Sequence, residues 1–427
     1  MRRTLVLLTA GLLAFSLAAP AAVVAAPGFT VQVAKPNHVN DTANIQAALD
    51  SCVAHGANCT VQLQAGTYLT YQLLVNDFHG AVVGAGQGKT VVQALPGYLV
   101  GPDIFGAPPS SSNPYPFIAS FGGVSDVTMS DFTFRVTEFE PTKGWWAAAE
   151  EAFVTYLKGD VFLAGSGRFT RMSFEGAPGT DGYDATAVNV DSSVFVGNWD
   201  YAGGVLPGGA FSLTRSRVAD TANGFEVVVF KGRATVGGSP ADANTFANSS
   251  GGVFLNLDGA IAQETYNRVE STQTGFQGVA IGQTTSPAAP AGILLAHNSI
   301  VLDGLYMGGI QSWYDPGVKA PYLVVTNNDF RVGSGANGTS DGMDSCNLQG
   351  ATVSGNTFTG VGGIAVFLCG SSSNNAVVAN DLSHFTAGGA AQIVLDPAAT
   401  HNLIVCRSRA DTVYDQGTSN TVVGCRK

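Results

Sequence analysis

From about residue 59 onward, apolar and polar positions alternate with a period of two in short runs, each closed by Gly, Asn, Asp or Ser. That is the pattern of half-buried β-strands joined by turns. The run CTVQLQAGTYLT, starting at Cys59, is the first clear case. Before it, one segment has helical spacing. Asp41 stands at the N-cap position, Ile45, Ala48, Leu49, Cys52 and Val53 share a face, and Gly56 ends it. The spacing predicts an α-helix over 41–55.

The strand runs repeat. ADANTF, ETYNRV, LAHNSI, VTNNDF, VSGNTF and VVANDL place Asn244, Asn267, Asn298, Asn328, Asn356 and Asn380 at intervals of 23 to 31 residues. Between them lies a second strand family: GFEVVVFK, GVFLNLDG, GVAIGQT, GIQSWYD, GMDSCNL and GIAVFLC. A unit of this length is too short to bury its own apolar face, so neighbouring units must stack. Parallel stacking sends Phe225, Val227 and Val229, then Val253, Leu255 and Leu257, then Val279 and Ile281 into one continuous core. An Asn at the same bend of every coil bonds backbone groups that the turn would otherwise strand, or the Asn of the next coil. The expected fold is all-β: one chain wound into a right-handed parallel β-helix, a solenoid, with the 41–55 helix capping its first coil.

The first residues, MRRTLVLLTAGLLAFSLAAPAAVVAAP, carry two arginines, an apolar run and small residues near Ala25. They read as a signal peptide over 1–25, leaving a domain over 26–427 that is secreted. No other stretch is long and apolar enough to span a bilayer, so no membrane insertion is expected. The chain has 20 basic and 31 acidic residues, net charge −11. Such a balance repels phosphate backbones and excludes nucleic acid as the expected partner. Six cysteines in an exported chain read as disulfides, and without a CxxC pair no zinc site is expected. Cys52 and Cys59 close a short loop. Cys346 and Cys369 are 23 residues apart, and Cys406 and Cys425 are 19 apart. Both separations are about one coil, which brings adjacent strands within disulfide reach. THNLIVC aligns with SNTVVGC, but Cys346 and Cys369 fall two residues out of step. Either the register shifts near residue 345 or that pair is not bridged.

The segment NDTANIQAALDSCVAHGANCTVQLQAGTYLT, the following GAVVGAGQGKTVVQ and the Asn repeats together resemble the right-handed parallel β-helix superfamily of pectin and pectate lyases. The resemblance covers about Val31 to Cys425 and implies a carbohydrate-facing scaffold. It does not assign a reaction, because this fold hosts lyases, hydrolases, epimerases, esterases, tailspikes and adhesins. The polygalacturonase signature is represented only by SDGMDSCN, without its Asp-Asp and Gly-His-Gly. The Arg-x-Pro-x-x-Arg and Trp-x-Asp-His of pectate lyases are absent, and the epimerase Asp-Pro-His is replaced by Asp315-Pro316-Gly317.

Outward residues of one strand stack form a long shallow groove suited to a polymer, which makes a polysaccharide the expected partner of a monomeric protein. Aligning the second strand family on Gly224, Gly252, Gly278, Gly309, Gly342 and Gly363 gives three outward columns. The first is Glu226, Phe254, Ala280, Gln311, Asp344 and Ala365. The second is Val228, Asn256, Gly282, Trp313, Cys346 and Phe367, and the third is Phe230, Asp258, Thr284, Asp315, Leu348 and Cys369. Asp258 and Asp315 stand two coils apart, about 10 Å between backbones. Side-chain lean brings such a pair towards the spacing of the acid and base of an inverting glycosidase. Asp258, Asp315 and Asp344 are therefore the candidate catalytic carboxylates. Trp313 offers a flat face to a sugar, and Asn256, Gln311 and Glu226 offer hydrogen bonds. The plain alternative is that Asp258 and Asp315 cap the turns LDGA and YDPG.

Asp341 and Asp344, with Asp315, form a candidate Ca²⁺ cluster, although hydrolysis requires no cofactor. A lyase needs a base and a cation beside a uronate, and Lys231, Arg233, Arg215 and Arg217 are the one basic group available for it. Trp145 and Trp146 are either a sugar-stacking lip or packing for an insertion. The six histidines assemble no nucleophilic triad. A non-catalytic adhesin or glycan-binding structural protein is the third reading.

Overall fold

The computed structural model describes residues 28–427 apart from 71–72, 96–116, 136–158, 164, 176–179, 183–186, 197–202, 206–208, 221–224, 231, 248–250, 259, 273–276, 283–291 and 314–321. The expected leader, Trp145, Trp146, Lys231 and Asp315 lie outside the described residues.

Every described strand pairing is parallel, and the strands line three sides of a solenoid. The first side is one sheet of fifteen strands, from Phe29–Gln32 to Thr421–Val423. The second has twelve, from Gly66–Thr70 to Asp381–Ala387. The third side is split. Five strands run from Leu73–Asn76 to Gly203–Val205, and eight more run from Phe225–Phe230 to Val413–Asp415. The fold is the expected parallel β-helix.

Because side chains alternate along a strand and coils stack in register, the core is a set of columns. One runs through all fifteen strands of the first sheet: Val31, Val61, Val82, Met129, Phe169, Val190, Leu213, Val236, Glu264, Leu295, Val325, Val353, Val377, Ile404 and Val422. All are apolar except Glu264. Its side chain is fully buried, both carboxylate oxygens lack a hydrogen-bond partner, and burial pushes its carboxyl up to about 8. Burial disfavours the charged form, so this residue sits in the core as a neutral acid at neutral pH.

The Asn ladder is present where the first sheet turns into the second. Asn298 Nδ2 donates to Glu264 O at 3.0 Å and to Asn328 Oδ1 at 3.1 Å, and its Oδ1 accepts the Asn267 N–H at 2.9 Å. The same geometry links Asn244 through to Asn380. Serines extend it towards the N-terminus: Ser216 N–H donates to Asn244 Oδ1, and Ser193 N–H to Ser216 Oγ. A second ladder, Asn375, Asn402 and Asn420, holds the turn into the last strands of the first sheet. The residue before the first bend adopts the left-handed conformation in many coils, as in Asp131, Arg171, Tyr266, His297 and Asn327.

The glycines that open the second strand family have a steric cause. A Cβ on Gly309 would lie 2.4 Å from Gly342 O and 2.9 Å from Phe330 Cδ1, and one on Gly342 would lie 2.7 Å from Ala365 O. Ala365, and not Gly363, is therefore the position stacked on Gly342, which corrects the last coil of the sequence alignment by two residues. Met343 pairs with Val366 and Cys346 with Cys369, and the two cysteines are bonded with a Cα separation of 4.3 Å. Cys52–Cys59 and Cys406–Cys425 are bonded as expected.

Helix α1 spans Thr42–His55 and ends at Gly56, whose φ is +92°. It buries Ile45, Ala48, Leu49 and Cys52, whereas Val53 is exposed. The expected capping role of Asp41 is replaced. Its carboxylate makes no helix-cap bond and instead accepts the N–H groups of Asn37 at 2.9 Å and Leu69 at 3.1 Å. Among the described residues no helix is long and apolar enough to cross a membrane.

Candidate functional site

The eight-stranded sheet carries one column in strict register: Glu226, Phe254, Ala280, Gln311, Asp344, Phe367, Val394 and Tyr414, of which Gln311, Asp344, Phe367 and Tyr414 are half-buried or exposed. The sequence-predicted column is right from Glu226 to Asp344 and wrong at its last member, where the two-residue shift puts Phe367 in place of Ala365. In the neighbouring column Val228 pairs with Asn256, Asn256 with Gly282, and Trp313 with Cys346. Cys369, and not Phe367, follows Cys346. Asp258 ends its strand level with Phe230. Asp315, its expected partner, lies outside the described residues. The structure therefore brings together Gln311, Asp344 and the strand position of Trp313. The positions of Asn256 and Glu226 lie on the same sheet, in earlier coils.

Two further carboxylates join Asp344. Asp341 opens the same strand, Asp341–Cys346. Strict alternation would separate residues three apart onto opposite faces. Here Gly342 and Met343 both turn inward, against Phe358 and into the core, so Asp341 and Asp344 are both half-buried at the outer side. Asp341 Oδ1 accepts the Ile364 N–H at 2.6 Å. Burial pushes its carboxyl up to about 6, the charge of Asp344 adds to the rise, and the Ile364 bond opposes it. Asp344 is also raised, by burial first and by the charge of Asp396 second. Asp396 follows the strand Ile393–Leu395 and accepts the Gly370 N–H at 2.9 Å. Among the described residues no basic side chain forms an ion pair with any of the three. Several arginines are engaged elsewhere: Arg171 with Asp131, Arg215 with Asp191 and Asp242, Arg268 with Glu270, Arg331 with Asp329 and Arg407 with Asp381.

Around the carboxylates, the Gln311 side chain folds back over Gly308, where a Cβ would lie 2.4 Å from Gln311 Nε2. Phe367 is half-buried beside Asp344, and Tyr414 is exposed at the far end of the column. Cys369 Sγ lies 3.4 Å from Asp344 Oδ1. Asp344, Cys346 and Cys369 hold their potential ligand atoms within 4.8 Å of one another, but the sulfurs are bonded to each other and present no thiolate to a metal. The expected Ca²⁺ cluster cannot be assembled from described residues, since Asp315 is not among them.

Of the basic group expected of a lyase, Lys231 lies outside the described residues. Arg233 opens a strand of the first sheet, Arg217 a strand of the second, and Arg215 sits at the bend between those sheets, so none lies on the eight-stranded face. Sequence reasoning misses Asp396 and, although it groups Asp341 with Asp344 as a cation cluster, it misses their common outer face beside Gln311. The first lies in a coil where the repeat shortens, and the second depends on the inward turn at Gly342.

No protein-family model matches the sequence, and no curated protein matches it. Solved structures do match in shape. The surface protein and adhesin PfbA of Streptococcus pneumoniae aligns over 92% of this chain and 100% of its own, at 14% identity and a TM-score of 0.52. Tailspike protein 3 of bacteriophage CBA120 aligns over 91% of this chain and 59% of its own, at 13% identity and a TM-score of 0.51. At these identities the likeness is one of fold. With its parallel sheets, stacked core columns and these neighbours, the chain has the right-handed parallel β-helix fold.

Proposed function

We propose that this is a secreted polysaccharide-binding β-helix whose eight-stranded face holds the glycan and whose Asp341 and Asp344 hydrolyse it. The observation that carries the reading is the pair itself: two half-buried carboxyls on one outer face, unpaired with any described base, one of them holding its proton up to about pH 6. Glycoside hydrolysis needs one carboxylic acid to protonate the leaving oxygen and one carboxylate to activate water or attack the sugar carbon. Asp341 is assigned the first role and Asp344 the second. Gln311 supplies hydrogen bonds to hydroxyls, and Phe367, Tyr414 and Trp313 supply apolar surface to sugar rings. Export rests on the leader over 1–25 and agrees with three disulfides.

The test is incubation of the protein with neutral, amino and uronic-acid polysaccharides, with and without Ca²⁺. The reading expects new reducing ends without Ca²⁺, with a rate that falls above about pH 6 as Asp341 loses its proton. Unsaturated products would replace it with a lyase. Asp258→Asn and Asp315→Asn should retain cleavage, and loss of activity in either would move the chemistry back to that pair. Glycan binding without turnover is the second reading, favoured by the fold shared with the PfbA adhesin. Binding with no new ends under any condition would establish it.

A further inference from the structure

A solenoid ends in sheet edges whose unpaired N–H and C=O groups invite another strand, and soluble proteins cover them. Here four edges are covered by identifiable groups. At the N-terminal end, Asp41 takes both the N–H and the C=O of Leu69 on the outer strand of the second sheet. Gln46 of helix α1 does the same for Leu74 on the third side, with its Oε1 accepting the Leu74 N–H at 3.0 Å and its Nε2 donating to Leu74 O at 2.8 Å. At the C-terminal end, Gln392 Nε2 donates to Leu382 O and Phe385 O on the last strand of the second sheet. The segment around Arg426 covers the last strand of the third side, where Val413 N–H donates to Arg426 O at 2.9 Å.

The fifteen-stranded sheet is different. Among the described residues nothing pairs with the free edge of Phe29–Gln32 at one end or of Thr421–Val423 at the other. Neither strand carries a charge. Since the sheet is parallel throughout, its two open edges are related by translation along the solenoid axis. The register is determined too. Thr421 N–H and Val423 O bond inward to the preceding strand, so Val422 is the residue whose backbone faces out. Val31 faces its own neighbour, leaving Thr30 and Gln32 facing out. Val422 therefore meets Val31, with its N–H directed at Thr30 C=O and its C=O accepting the Gln32 N–H. Val31 and Val422 are the two ends of the inward column described above, and both are only partly buried. Pairing them would run that column from one molecule into the next.

We propose that the partner of these edges is a second copy of this chain, added head to tail by parallel pairing of Thr421–Val423 with Phe29–Gln32. The contact is heterologous and does not close, so it yields open chains of molecules. Strands of three and four residues make it weak, and it forms at high protein concentration. The monomer expected from the sequence alone is then the dilute form.

Head-to-tail pairing is independent of any action on a glycan. The test is light scattering coupled to size exclusion, across a concentration series of the exported protein. The expected result is a mass that climbs through multiples of the monomer. Gln32→Pro or Val422→Pro removes one outward-facing N–H from each edge without touching an internal bond, and each should return the protein to a monomer with an unchanged circular dichroism spectrum. A mixture of Val31→Cys and Val422→Cys proteins should form a disulfide-linked dimer that neither forms alone. A monomer at every concentration, or a mixture that gives no such dimer, overturns the proposal.

Discussion

Replacing Glu264 tests the column logic of the core quantitatively. In the unfolded chain its carboxyl has the ordinary value of 4.5, and in the folded protein burial raises it to about 8. Between those pH values the native state holds a proton that the unfolded state has released, so stability is greatest below pH 4.5 and falls as pH rises towards 8. At about 1.36 kcal/mol per pH unit the loss over that window is about 5 kcal/mol, of which about 3 kcal/mol has gone by about pH 7. Glu264→Leu removes this slope and fills the column between Val236 and Leu295 with a matching apolar side chain. Glu264→Gln removes the slope as well but keeps an unpartnered polar group, so it should be the less stable of the two. The measurement is urea unfolding followed by circular dichroism at a series of pH values from about 4 to 9, the span set by the two carboxyl values. The gap between Glu264→Leu and wild type should widen with pH and level off above about pH 8. A gap independent of pH would refute the reasoning, because it would mean that Glu264 carries the same charge in both states.

Other parts of the structure make separate predictions. Asn298→Ala strands the Asn267 N–H and the Glu264 carbonyl in a buried bend, and should cost about 3 kcal/mol in chemical unfolding. Asn420→Ala, at the part-buried end of the shorter ladder, should cost less. Gly309→Ala drives a methyl group against Gly342 O and Phe330, and thermal melting should show destabilisation of about 1–3 kcal/mol. An unchanged melting curve would show that the coil spacing relaxes freely there. Removing the Cys346–Cys369 bridge with paired serines should lower stability by about 3 kcal/mol in unfolding experiments, through the freedom restored to the unfolded chain.

Much of this architecture is legible in the sequence because it is repetitive. The Asn at each bend recurs often enough to give the coil length, and the alternation inside GVFLNLDG or GVAIGQT gives the inward face. Together they predict the outer column from Glu226 to Asp344. The errors arise where repetition fails. Gly362 and Gly363 add length before the strand Val366–Cys369, so an alignment on glycines slips by two, and the cysteine spacing is the signal that points to the right register. Asp41 looks like a helix cap because Asp commonly is one, yet the free edge beside Leu69 competes for the same carboxylate and wins. The ladder of Asn375, Asn402 and Asn420 is too short to stand out as a period. Glu264 reads as one more polar strand residue until the register places it in the core column. The site follows the same rule: Gln311 and Asp344 belong to a period and stand out in the sequence, whereas Asp341 joins them only through the inward turn at Gly342.

Whether Asp344 acts on a glycan bound along the eight-stranded face is tested most directly by comparing wild type with Asp344→Asn. The substrate is whichever polysaccharide of the panel is cleaved, with binding followed by calorimetry and cleavage by reducing-end release. The predicted result is near-equal affinity and cleavage slowed by about 10²-fold or more in the variant. Cleavage by Asp344→Asn at the wild-type rate would contradict it.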